Sequence, residues 1–115
     1  MRTDSLCPGI GLETFIFDAL PLAEKSIILT IDRVEEFAPI KNATGVDSAE
    51  SSRDLQIERA ARWLESVGIF VPRKPDGAVD AVIEISPLFA LDADELKEKA
   101  AHLPAIPAGA TICLE

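Results

Sequence analysis

In this 115-residue chain, Lys41 is the residue whose type and setting best suit chemistry. Pro39 stiffens the approach to it, and Asn42 and Gly45 after it permit a tight turn around an anion. A lysine so placed is a compact point charge suited to a phosphate, or to the charge that builds up in phosphoryl transfer. The same spacing also describes a solvated loop lysine. Other groups offer less. His102, the single histidine, has no Ser, Cys or Asp in a spacing that would orient it as a base, and reads as a surface residue. Glu35-Glu36 and Asp92-Asp94-Glu95 have the composition of glycosidase carboxylates or metal ligands, but helix capping and solvation account for them. Trp63 reads as a packing residue. Cys7 and Cys113 form no CxxC spacing and are read as free thiols. Neither GxxxxGK[S/T] nor GxGxxG occurs, so the chain has no nucleotide cradle of its own.

Such a lysine acts only if a fold positions it, and the composition permits a fold. Hydrophobic residues make up 48% of the chain and charged residues 27%, near the values for soluble globular domains. The length fits one small domain or a piece of a larger one. A net charge of −9 argues against nucleic acid or anionic membrane as a partner, since both need a cationic surface. No apolar run approaches the roughly 18 residues of a membrane span, and no signal pattern opens the chain; it reads as cytoplasmic.

Residues 1–11 carry no period and read as an irregular lead-in. The alternation of Thr14, Ile16 and Asp18 with Phe15 and Phe17 predicts a strand, and Pro21 suits the first turn of a short helix over 19–25. Residues 26–32, aliphatic at Ile27, Ile28, Leu29 and Ile31, predict a second strand covered on both faces. A long aperiodic connection, 33–47, carries Lys41. A helix then follows from Ile57, Ala60, Ala61 and Leu64 at i, i+3, i+4 and i+7. Ser51 with Asp54 is its expected cap, Glu58 with Arg62 an expected ion pair, and Gly68 its left-handed stop. Residues 69–71 predict a short strand, Pro75-Asp76-Gly77 a turn, and Val79, Ala81, Ile83 and Ile85 a full strand. Asp92 with Glu95 opens a short helix to about Ala101, and 110–114 form a last strand. The order β, β, α, β, α, β is an α/β pattern.

Four segments, in order, resemble the C-terminal third of UDP-N-acetylhexosamine pyrophosphorylases. They are Leu12-Glu13-Thr14-Phe15-Ile16-Phe17-Asp18, the run 26–32, Glu36-Phe37-Ala38-Pro39-Ile40-Lys41-Asn42-Ala43, and Glu84-Ile85-Ser86-Pro87-Leu88. These enzymes belong to the UDP-sugar pyrophosphorylases, which join UTP and a sugar 1-phosphate into a UDP-sugar and release pyrophosphate. The likeness covers nearly all of residues 12–115. It implies that Lys41 contacts substrate phosphates and that Asn42 beside it bonds a phosphate or caps the turn. It also implies that Phe15 and Phe17 lie by the sugar and its N-acyl group, where an apolar wall separates an acetamido group from a hydroxyl. A core role for both phenylalanines fits the same pattern.

The resemblance further implies the end of a Rossmann-like nucleotidyltransferase sheet over 12–68, leading into a small β-rich C-terminal subdomain over 69–115. Gly11 stands where the family usually has a lysine. The family's glycine-rich UTP loop, uracil contacts and metal-binding acid lie upstream of the matched segments. Mg2+ is therefore expected of the complete enzyme, with its ligands outside this chain, and the chain is expected to be inactive alone. The sugar is N-acetylglucosamine or glucose; the loop 37–42 resembles the acetylhexosamine enzymes more. The alternative from another class is a non-catalytic binding or assembly module, which associates with a partner chain or a second copy through an unfilled sheet edge.

Overall fold

The computed structural model describes residues 16–115, and these fall into two units parted between Thr30 and Ile31. In the first unit, Ile16–Leu22 forms a 3-10 helix with Pro21 inside it and no buried residue. Residues 24–30 carry no regular structure and are exposed throughout. Both strands expected here are corrected. Residues 12–15 lie outside the described residues, and 16–18 begin the 3-10 helix, where Pro21 supplies a fixed φ and no N–H for a ladder. The run 26–32 pairs with no described strand, leaving Ile27, Ile28 and Leu29 at 92%, 93% and 82% exposure. A strand covered on both faces needs neighbours, and its apolar sequence alone does not supply them.

The second unit is built around α2, Ala49–Ser66, preceded by the single turn α1, Arg33–Glu36. Ala60, Ala61 and Leu64 are buried and Ile57 half-buried, which is the expected stripe. The helix starts one turn earlier than expected. Ser48 is the cap: its Oγ accepts from the Ser51 amide at 3.2 Å while Ser51 Oγ accepts from the Ser48 amide at 2.9 Å, a reciprocal capping box. Ser51 is thus the third helical residue of the box. At the other end Gly68, at φ 85°, closes the helix as expected. Its amide donates to Glu65 O and the Ile69 amide to Leu64 O, a Schellman pattern.

The expected pair of Glu58 with Arg62 does not form, because Arg73 crosses back to grip Glu58 and Glu65 together, and Arg62 turns to Glu35. Residues 69–71 are no strand; Val71 plugs the core and a lone antiparallel bridge forms instead between Arg73 and Val79, across the expected turn at 75–77. β1, Ala81–Ile85, and β2, Ala110–Leu114, pair in parallel with Ala81 opposite Ala110. Parallel partners need a long crossover. Here it contains α3, Ala93–Lys99, capped by Asp92 Oδ1 accepting from the Glu95 amide at 2.8 Å. Leu96 of α3 is fully buried and joins α2, β1, Val71, Ala90 and Ile106 in one core. The chain is mixed helix and strand, compatible with an α/β class, with a two-stranded sheet among the described residues. No helix among these residues is long and apolar enough to cross a membrane.

Candidate functional site

The segment carrying Lys41 is fixed from both sides. Asp32 Oδ1 accepts from the Val34 amide at 2.9 Å and starts α1. Phe37 returns to extended backbone, with the Arg33 guanidinium 4.1 Å from its ring centre. Ser52, buried on α2, donates its Oγ to Ala38 O at 2.9 Å and pins the strand-like stretch before Lys41. Beyond it the chain loops back: the amides of Lys41 and Asn42 both donate to Asp47 O, at 2.6 and 2.9 Å. Asn42 Nδ2 donates to Val46 O at 2.7 Å, and Ser48 Oγ donates to Gly45 O at 2.7 Å. Gly45 at φ 77° and Asp47 at φ 56° take the left-handed conformations that close so tight a loop.

Its chemistry follows from what this closure leaves free. The Lys41 and Asn42 amides and the Asn42 side-chain N–H are spent inside the loop, so they do not face outward as an anion nest. Lys41 Nζ is exposed and makes no hydrogen bond or ion pair among the described residues. The result is an exposed cation on a hydrogen-bonded loop, a type of group suited to a phosphate.

Lys41 and Asn42 are thus together in one loop of the second unit. Phe17 lies in the 3-10 helix of the first unit, 71% exposed, and Phe15 lies outside the described residues. His102 is exposed in a 3-10 turn after α3, and Cys113 is a free thiol on β2. Cys7 lies outside the described residues.

Glu35 is the residue whose importance the sequence hides. Its Oε1 accepts from Arg62 Nη2 at 2.7 Å and Nε at 3.2 Å, and its Oε2 accepts from Trp63 Nε1 at 2.9 Å. Arg59 Nε stands 3.7 Å away, its guanidinium stacked 4.2 Å from the Trp63 ring centre. The Arg62 hydrogen bond, against some opposing burial and with help from Trp63 and the two arginine charges, holds the Glu35 carboxyl below its ordinary value of 4.5. Arg59, Arg62 and Trp63 share one side of α2, a visible signal, but nothing local ties them to an acid 27 residues upstream.

A cleft of about 550 Å³ also opens between α2 and β1, lined among others by Arg53, Gln56, Trp63, Glu84 and Leu91. Among the described residues no group of three or more His, Cys, Asp or Glu side chains could hold a metal ion.

No family model and no solved structure matches the chain. Curated proteins do. UDP-N-acetylglucosamine diphosphorylase 2 of Arabidopsis thaliana is 38% identical over 95 residues, covering 77% of this chain and 18% of that protein. The probable UDP-N-acetylglucosamine pyrophosphorylase of Dictyostelium discoideum is 37% identical over 93 residues with the same coverage. UDP-N-acetylhexosamine pyrophosphorylase-like protein 1 of Homo sapiens is 32% identical over 103 residues, 77% of this chain and 20% of that protein. The chain is related to the UDP-sugar pyrophosphorylases. Within them, the relatives it matches carry the names of the UDP-N-acetylglucosamine and UDP-N-acetylhexosamine enzymes, and it spans about a fifth of their length.

Proposed function

We propose that the chain is a segment of a uridylyltransferase that makes a UDP-sugar and pyrophosphate from UTP and a sugar 1-phosphate. Lys41 neutralises substrate phosphate in that reaction. The observation that carries this reading is the free Lys41 Nζ on a loop locked by Asp47 and Ser48, within a chain related to these pyrophosphorylases. Phosphoryl transfer needs little covalent chemistry from the protein and depends on positioned positive charge, which is what such a lysine offers. Asn42 serves by closing the loop that presents it. Phe15 and Phe17 line the sugar side. N-acetylglucosamine is the favoured sugar over glucose, because the relatives' names specify it.

In the complete enzyme the segment follows a Rossmann-like catalytic domain and carries a small C-terminal subdomain. Mg2+ and the UTP loop belong to the complete enzyme, and the segment is inactive without them. The test is turnover of UTP and N-acetylglucosamine 1-phosphate by the protein as its source cell makes it, beside the Lys41→Ala variant. Losing one positioned charge lowers turnover about 10²–10³-fold. Unchanged turnover removes Lys41 from the reaction.

A second reading, an assembly module, is favoured by two features: Ile27, Ile28 and Leu29 are exposed, and β1 and β2 each leave an edge without a described partner. Sedimentation over a concentration series tests it, and a chain that stays monomeric throughout speaks against it.

A further inference from the structure

The acid at position 35 lies six residues before Lys41, and its bonds suggest what it does for that lysine. α1 is a single turn, too short to hold its own shape. What fixes it is α2. Glu35 is gripped by Arg62 and Trp63, and Arg62 Nη2 also donates to Val34 O at 3.3 Å. Three residues later Ala38 O is gripped by Ser52. Arg62 and Ser52 are ten residues apart, about 15 Å along a helix, so the segment from 35 to 38 runs back along α2 toward the Ser48 cap. Lys41 follows at the end of this two-point track, where Asp47 O takes its amide.

We propose that Glu35 is a positioning residue, which sets where Lys41 leaves α2 by locking the 34–38 segment onto Arg62 and Trp63. This rests on the reading of Lys41 as the phosphate-binding lysine. Both carboxylate oxygens are used, one by each partner, and both partners are donors only. A glutamine at 35 must turn its NH2 toward one of those donors, so it cannot satisfy both. Glu35→Gln is therefore a specific probe of the clamp at nearly constant volume.

Two measurements decide the matter. The first is hydrogen exchange at the Lys41 and Asn42 amides, which needs no activity. Glu35→Gln is expected to speed exchange there about tenfold, while amides around Leu96 on α3 are unchanged. Unchanged exchange at both amides overturns the proposal. The second is kcat/KM for the sugar 1-phosphate in the protein as its source cell makes it, for Glu35→Gln, Lys41→Ala and the double variant. Glu35→Gln is expected to lower it about 10–100-fold, as a displaced catalytic group does. The double variant is expected to be no worse than Lys41→Ala alone, because Glu35 acts through that lysine. Losses that multiply show a merely structural role and overturn the proposal.

Should Glu35→Gln fail to fold, Trp63→Phe removes one donor and keeps an aromatic, though smaller, side chain. It is expected to speed the same two amides to a smaller degree, and no change there also overturns the clamp. An unaffected Lys41→Ala enzyme would sink the phosphate reading instead, leaving the exchange result to judge the positioning by itself.

Discussion

Replacing Ser48 by alanine tests the junction on which the helix and the lysine loop both depend. Ser48 is 1% exposed, and its hydroxyl has two jobs: it accepts from the Ser51 amide and donates to Gly45 O. Losing the cap costs about 1 kcal/mol, and losing the second bond about 1 kcal/mol more. For a unit of this size a loss of about 2 kcal/mol lowers the melting temperature by roughly 8–16 °C. Ser51→Ala is the matched control. It removes the acceptor of the Ser48 amide and leaves the cap oxygen in place, so it costs about 0.5–1 kcal/mol. Thermal unfolding followed by far-ultraviolet circular dichroism, with a urea titration beside it, measures both. If Ser51→Ala costs as much as Ser48→Ala, the cap lies at Ser51 and the coupling between loop and helix is wrong.

Three further outcomes are expected. The folded-state pKa of Glu35 lies below its unfolded value, so its bonds add stability above a pH of about 4.5 that is lost as the pH falls through the folded value. Glu35→Gln should remove that part of the acid sensitivity, and parallel stability curves for the two proteins between about pH 3 and 6 would count against the clamp. Gly68→Ala should cost about 1 kcal/mol by urea unfolding. A Cβ there meets nothing within 4 Å, so the cost is that of the left-handed backbone alone and Gly68→Asn should recover part of it. Leu64→Ala, at a site 1% exposed between α2 and the sheet, should cost about 2–5 kcal/mol, and a loss under about 1 kcal/mol would place Leu64 outside the core.

What was legible in the sequence was local. The stripe from Ile57 to Leu64, the glycine stop at 68, the turn at 75–77, the Asp92 cap and the alternation of β1 each depend on residues within one or two turns of one another. The cap of α2 was misplaced by three residues because Ser48 and Ser51 are both good capping types; what distinguishes Ser48 is that its Oγ accepts from the Ser51 amide and donates to Gly45 O. The strand expected at 26–32 failed for the opposite reason. Its apolar run reports a preference for burial, but strand pairing depends on residues elsewhere, and none of the described ones supplies it. Glu35 was missed likewise, since its partners lie 27 and 28 residues away.

The same distinction divides the candidate site. Every bond that fixes the Lys41 loop, from Asp32 to Ser52 and from Glu35 to Trp63, lies within the unit that begins at Ile31. The backbone that carries Lys41 is therefore set by hydrogen bonds to α2 and within its own loop. Phe17, assigned to the sugar side, belongs to the other unit and stands exposed on a 3-10 helix with no buried residue of its own. An apolar wall discriminates between an acetamido group and a hydroxyl only when its geometry is held still. For the role proposed for Lys41, the hydrogen bonds that shape its loop thus lie within a single unit.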